Sequence, residues 1–170
     1  MKKIIIILAL SFLTIESHAI NPKLIINTGL GDVNKPVNST NYVTTKKIDL
    51  GISNEVYKNK TDSIVIATLY SVDIYNNKKV IEDIKWLVSL KKTFKPKHAV
   101  FIGGNLSIPL YVDIDNVKPK TPGYGIHMGY NFKSNNKINY KLLLQLHQYK
   151  TNYKKNLVNQ SITAGITYST

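Results

Sequence analysis

Tyr124-Gly-Ile-His-Met-Gly-Tyr-Asn-Phe132 is apolar at every second position. Tyr124, Ile126, Met128, Tyr130 and Phe132 share one parity; Gly125, His127, Gly129 and Asn131 share the other. A helix would scatter both sets around its axis, whereas a strand sends them to opposite faces. This stretch is a two-faced strand.

The same pattern recurs along the chain. Clusters of Gly, Asn and Lys divide it into eight runs rich in β-branched and aromatic residues. They are Leu24–Leu30, Ile48–Val56, Ile64–Ile74, Ile84–Leu90, Val100–Leu110, Tyr124–Phe132, Ile138–Leu146 and Val158–Tyr168. The apolar face falls on even numbers in all eight. Of 41 even positions in these spans, 36 are apolar and none is charged, so the phase is maintained across every connection. The 33 odd positions hold seven apolar residues: Ile25, Val65, Ala67, Leu69, Leu87, Phe101 and Leu143.

Which face meets water decides the class. A soluble sandwich turns its polar face to bulk water, and here that face would carry many of the 23 lysines. Its only charges within the spans are Asp49, Glu55, Asp73, Lys85 and Lys141. The rest is mostly Gly, Ser, Thr, Asn and Gln, as in a crowded interior. The lysines gather in the connections instead. The reading is therefore an all-β, eight-stranded, antiparallel up-and-down transmembrane β-barrel with its apolar face to lipid. An even strand number closes the sheet and leaves no edge in hydrocarbon. Tyr124, Phe132, Tyr140 and Tyr168 sit toward the run ends on the apolar face, where interfacial girdles belong.

The N-terminus fits this address. Met1-Lys2-Lys3 is a positive leader, Ile4–Ile15 is largely apolar, and Ser17-His18-Ala19 offers a cleavage site after Ala19. That is a signal-peptide pattern, with residues 1–19 as signal and 20–170 as the barrel domain. The expected location is the outer membrane, reached by secretion across the inner one. The loops after strands 1, 3, 5 and 7 would face outward, with Val33–Lys47 and Tyr111–Gly123 long and Tyr75–Asp83 longer than its neighbours.

Composition narrows the remaining classes. The chain of 170 residues has no cysteine, hence no disulfide and no thiolate zinc site. All its basic residues are lysines, so the bidentate guanidinium fork for phosphate is missing. No phosphate-binding glycine loop is present, and nucleic acid is not an expected partner of a secreted barrel.

The closing run, Asn159-Gln-Ser-Ile-Thr-Ala-Gly-Ile-Thr-Tyr168, resembles the last strand of small Gram-negative outer-membrane barrels of the OmpA-like and opacity type. Tyr124–Phe132 resembles their penultimate hairpin. The resemblance implies an eight-stranded barrel and insertion by the barrel-assembly machinery, which recognises a terminal aromatic. Here Tyr168 stands two places before the end. It fixes no activity, since such barrels include adhesins, structural anchors and lipid A-modifying enzymes.

Candidate chemistry is sparse. His127 and His147 point to the lumen in this register. A hairpin centred near Asn135 pairs His127 with Leu143 and His147 with Gly123. That sets the rings four residues apart, roughly 13 Å at 3.3 Å per residue and too far to share a metal. Lipid A deacylases resemble small barrels with a histidine and a serine near the outer end. Tyr149 occupies the place where that serine would follow His147. No catalytic residue and no metal ligand set is nominated, and no cofactor is expected. The lumen charges Asp49, Glu55, Asp73, Lys85 and Lys141 are expected to pair with one another inside a filled barrel. Asp113-Ile-Asp115-Asn116 lacks the glycine and distal glutamate of a calcium loop.

Surface contact is assigned to the loops, with Lys35, Tyr42, Lys118, Lys120, Lys154 and Lys155 as contact residues. Phosphorylated lipopolysaccharide and outer-membrane lipids are the expected partners. A host or envelope polyanion would meet the same charges. The functional expectation is a small, non-enzymatic outer-membrane protein with a structural or surface-contact role. The alternatives are a deacylase-like lipid A-modifying enzyme and a soluble periplasmic ligand-binding barrel.

Overall fold

The structure is a computed structural model. It describes residues 22–34, 42–114, 117–135, 137–153 and 156–169; residues 1–19, read above as a signal, lie outside them. Eight strands follow in order: β1 Lys23–Asn34, β2 Tyr42–Lys58, β3 Asp62–Tyr75, β4 Lys78–Lys95, β5 His98–Val112, β6 Pro119–Lys133, β7 Ile138–Thr151 and β8 Leu157–Ser169. Each pairs antiparallel with its sequence neighbours, and β8 returns to β1 from Lys23↔Ser169 to Val33↔Asn159. The result is a closed barrel. No described helix is long and apolar enough to cross a membrane.

Every strand anticipated from the alternation is present, but all are longer at one or both ends. The connections are correspondingly short, which corrects the long outer loops expected above. Two linked residues, Asn76 and Asn77, join β3 to β4 at φ of 49° and 60°. Consecutive left-handed residues give the tight hairpin turn that matches strand twist, and asparagine tolerates them. The strands extend because lysine, threonine and tyrosine continue the ladder beyond the apolar band.

The start of β1 and the end of β8 lie at one end of the barrel, with the β2–β3, β4–β5 and β6–β7 turns; this is the terminal end. The other is the far end. On the outside, Leu24, Ile26, Leu50, Val88, Leu90, Ile102, Ile126, Leu144 and Ile162 are exposed. Exposed Tyr57, Phe94, Tyr140 and Tyr168 ring the terminal end, while Tyr42, Tyr75, Tyr111 and Tyr124 ring the far end. An aliphatic band lies between two aromatic rows. Tyr57 and Tyr111 are outward despite odd numbers, because bulges after Glu55 and opposite Glu82–Asp83 shift the phase.

The lumen is filled in layers. At the far end Val33, Val80, Ile81, Ile114, Val117, Tyr149 and Leu157 form an apolar cap. The β5–β6 connection brings Ile114 and Val117 into this cap, with Asp113 N–H donating to the Val80 carbonyl at 2.8 Å and Val117 N–H to that of Ile114 at 2.8 Å. Nearer the terminal end Ile25, Ala67, Leu69 and Leu87 form a second apolar layer. Charged side chains lie between the two, and a cavity opens beyond the second.

Lumen glycines make room for the large side chains. A Cβ on Gly129 would stand 2.3 Å from Phe101 Cζ and 2.2 Å from the Leu142 carbonyl oxygen. On the outer face, a Cβ on the exposed Gly104 would meet only the Gly125 oxygen, at 3.8 Å. Gly129→Ala should therefore lower unfolding stability by about 1–3 kcal/mol, the cost of overpacking. Gly104→Ala should leave it unchanged. Urea titration of the folded barrel followed by tryptophan fluorescence reads both.

Candidate functional site

The lumen holds the chemistry-bearing side chains, because the odd positions of every strand converge there except beyond the bulges. Lys47, Asp49, Asp73, Asp83 and Lys85 lie between the two apolar layers, each at most 1% exposed. Charges so deep require partners. Lys47 Nζ donates to Asp73 Oδ2 at 2.9 Å. Asp73 also accepts Thr45 Oγ1 and Asn159 Nδ2, each at 2.9 Å. Ser71 Oγ donates to Asp49 Oδ1 at 2.6 Å. Lys85 Nζ stands 3.7 Å from Asp83 Oδ2 and 3.5 Å from Gln145 Oε1. The Tyr149 hydroxyl donates to Asp83.

Glu55 and Lys141 sit elsewhere. Glu55, nearer the terminal end, accepts Lys91 Nζ at 2.7 Å, Lys23 Nζ at 3.2 Å and Ser63 Oγ at 3.0 Å. The Lys141 ammonium lies 4.8 Å above the Phe101 ring. The five lumen charges named from the sequence thus do not pair among themselves. Their partners are Lys47, Asp83, Lys23 and Lys91, inward residues just beyond the apolar runs. Lys91 and Asp83 flank Ile84–Leu90 at odd positions, so extending the alternation outward would have found them.

The histidines are both buried. His127 pairs with Gln145 and His147 with Gly125, which corrects the expected register by two residues. The offset along the strands falls from four residues to two, about 7 Å at 3.3 Å per residue. The rings nevertheless have separate partners. His127 Nε2 is 2.7 Å from Ser89 Oγ. His147 Nε2 is 2.6 Å from Ser107 Oγ, while its Nδ1 faces the Asn105 side-chain oxygen. With Nδ1–H donating to Asn105, Nε2 is the acceptor for the Ser107 hydroxyl.

Ser107, His147 and Asn105 therefore have the connectivity of nucleophile, base and orienting group. The base comes from β7 and the hydroxyl from β5, two strands away, so no local sequence motif marks it. Ser107 is fully buried, and Tyr149 packs edge-on against His147 at 4.6 Å. The site is sealed under the far-end cap. Among the described residues no group of three metal-ligating side chains converges.

Of the residues proposed for loop contact, Lys35, Lys154 and Lys155 lie outside the described residues. Tyr42 is the first residue of β2 and Lys120 belongs to β6, so neither is in a loop. Lys118 is exposed and its backbone N–H donates to Asn152 Oδ1 at 3.0 Å. Ile114, within the acidic loop run, is a buried cap residue; Asp115 and Asn116 are outside the described residues. On the outer wall near the far end, Tyr70 donates to Glu82 at 2.5 Å. Lys79 joins Glu82 and lies 4.9 Å from the Tyr111 ring.

No protein-family model matches the sequence, and no curated protein matches it. Solved structures do. The crystal structure of Neisserial surface protein A is similar with a TM-score of 0.63 at 10% identity, over 88% of this chain and 97% of that one. A chain described under de novo design of transmembrane beta-barrels is similar with a TM-score of 0.55 at 10% identity, over 92% of this chain and 100% of that one. At such identity the likeness shows the fold alone.

The buried network generates a stability prediction. Asp73→Asn leaves the Lys47 ammonium without its carboxylate and should cost about 3–5 kcal/mol. Lys47→Met combined with Asp73→Leu should recover part of that loss, since no unpaired ion remains. Urea midpoints of wild type, single and double variants test the ordering.

Proposed function

We propose that this protein is a small integral outer-membrane barrel, non-enzymatic and non-conducting, that serves envelope structure and surface contact. The observation that carries the reading is the exterior: an uncharged, mainly aliphatic band with exposed aromatic side chains toward both ends. Water would penalise such a surface, and lipid rewards it. The closed ladder leaves no free sheet edge for hydrocarbon to meet.

The N-terminus lies on the periplasmic side in this reading, after removal of residues 1–19. The far end then faces outward. Lys46, Lys78, Lys79 and Lys150 are exposed there, close to the tyrosine row. That height suits ammonium contact with phosphorylated lipopolysaccharide or another polyanion. Lysine point charges without guanidinium forks favour electrostatic contact over one defined phosphate pose. Tyr168, exposed near the end of β8, is the aromatic that the barrel-assembly machinery would engage.

A lipid-modifying enzyme fits the geometry less well. Its hydroxyl would have to meet an acyl chain, and Ser107 is enclosed by the cap. The buried apolar cluster across the far end of the lumen likewise opposes passage of solutes.

The heated and unheated protein should migrate differently on a detergent gel, and the protein should stay with the outer-membrane fraction after carbonate washing. A soluble protein without a mobility shift overturns the proposal. Leu144, at the middle of β7 and 41% exposed, should tolerate lysine poorly. Leu144→Lys should cost about 2–4 kcal/mol in lipid, as for a cation at the bilayer midplane. Gln145→Glu, which puts a carboxylate beside the Lys85 ammonium in the lumen, should cost less than Leu144→Lys, because its new charge meets a partner. Urea unfolding in liposomes measures the pair.

A further inference from the structure

The two halves of the lumen differ in charge. Between the apolar layers, Lys47 and Lys85 face Asp49, Asp73 and Asp83, so the set is balanced to slightly acidic. Beyond the second layer, the terminal end opens into a cavity of about 410 Å³. Its inner wall carries Lys23, Lys91 and Lys141 against a single carboxylate, Glu55. Four more lysines, Lys58, Lys60, Lys97 and Lys133, stand around the mouth, opposed by Asp62. Lysine is abundant throughout the chain, but composition alone does not explain why only this half is left cationic.

The three inner ammoniums are not equivalent. Lys23 and Lys91 share the two oxygens of Glu55. Lys141 has the Phe101 ring as its neighbour at 4.8 Å, with no hydrogen-bond acceptor or carboxylate in bonding distance among the described residues. The cavity narrows inward to Ala67, Leu87 and Phe101, which close its apolar floor. Ser89 Oγ, held by His127 at 2.7 Å, stands in the same wall. A concave, cationic pocket with an ammonium that no carboxylate pairs concentrates anions. Its volume is that of a small-molecule site.

We propose that this vestibule is a binding site for a small polyanion bearing phosphate or carboxylate groups. Lys141 supplies the primary charge, Lys91 and Lys23 supply the second contact by exchanging from Glu55, and Ser89 supplies a hydroxyl. The site lies at the end opposite the lysine-bearing outer rim and is independent of any role of that rim. Its occupant is either a free solute or the headgroup of a lipid whose phosphate reaches the mouth, since both present the same chemistry.

Titration of the folded full barrel in uncharged detergent micelles with pyrophosphate, and separately with citrate, tests this by calorimetry at constant ionic strength. The expected result is saturable binding at one site. Lys141→Met should weaken it at least tenfold. Glu55→Gln, which frees Lys23 and Lys91 from a competing carboxylate, should tighten it severalfold, a gain that misfolding cannot imitate. Lys97→Met at the mouth should change affinity less than twofold. Boiling-dependent gel mobility confirms that each variant is folded. Heat that fails to saturate, a Lys97→Met loss equal to that of Lys141→Met, or a Glu55→Gln variant that binds no tighter would overturn the site. Repeating the titration in phosphatidylcholine and phosphatidylglycerol nanodiscs separates the sources. Competition by the anionic lipid alone marks the headgroup as occupant, and equal affinity in both marks the free solute.

Discussion

Closure of β8 onto β1 is the constraint from which the remaining features follow. Pairing from Lys23↔Ser169 to Val33↔Asn159 removes the last free edge. It also fixes eight strands around one axis, and a barrel of that size has an interior just wide enough for side chains to fill. Every inward residue must then fit against inward residues of the neighbouring strands and of strands farther round the barrel. This is why Gly129 faces Phe101 and why Gly123 faces Tyr149 and His147, where a Cβ would stand 2.4 Å from the tyrosine ring. It is also why a lysine and an aspartate pointing inward have little choice but to meet. A wider barrel would have hydrated them.

Within that confinement the lumen separates into zones. The outer cap and the inner apolar layer exclude water from the Lys47–Asp73 and Lys85–Asp83 group, where unpaired charge is most costly. The vestibule beyond the inner layer communicates with solvent, so an excess of ammonium groups is tolerated there. Charge balance thus follows access to water: neutralised where the lumen is sealed, unbalanced where it opens. The exterior has the complementary order, with aliphatic side chains at mid-height and tyrosines at both rims.

The fold was legible because confinement and lipid impose opposite demands on alternate residues, and strand periodicity keeps them in phase. The even-numbered apolar set needed only a count. Strand ends were less legible, because Lys46, Lys78, Lys92 and Lys150 continue a ladder while reading as loop residues. Lengthening the strands shortened the outer loops, which removed Tyr42 and Lys120 from them. Bulges were invisible, and each one shifts parity, as Tyr57 and Tyr111 show. The partners of the lumen charges escaped for the same reason as the strand ends. Lys47 precedes the apolar run at Ile48, and Asp83 precedes the one at Ile84. Pairings across the barrel, such as His147 with Ser107, depend on the closed geometry and leave no spacing to read.

The Ser107–His147–Asn105 arrangement shows how far geometry alone carries a chemical argument. Its hydrogen bonds have the order found where an activated hydroxyl is made. Yet the same order arises whenever a buried imidazole must satisfy two nitrogens, one as donor and one as acceptor. In a narrow polar lumen, an amide oxygen and a hydroxyl are the commonest partners at hand. His127 meets only half of that demand, with Ser89 on Nε2 and no partner on Nδ1. Two histidines in one lumen thus show the requirement satisfied and half satisfied. What distinguishes a catalytic hydroxyl is a reacting atom within reach of it, and Ser107 is shielded by Tyr149 and the cap. Ser89, in contrast, borders the open vestibule but lacks the orienting group on its histidine. Neither serine combines an oriented base with access, and both pairs hold β4 to β6 and β5 to β7 across the interior, with Ser89 on the vestibule wall.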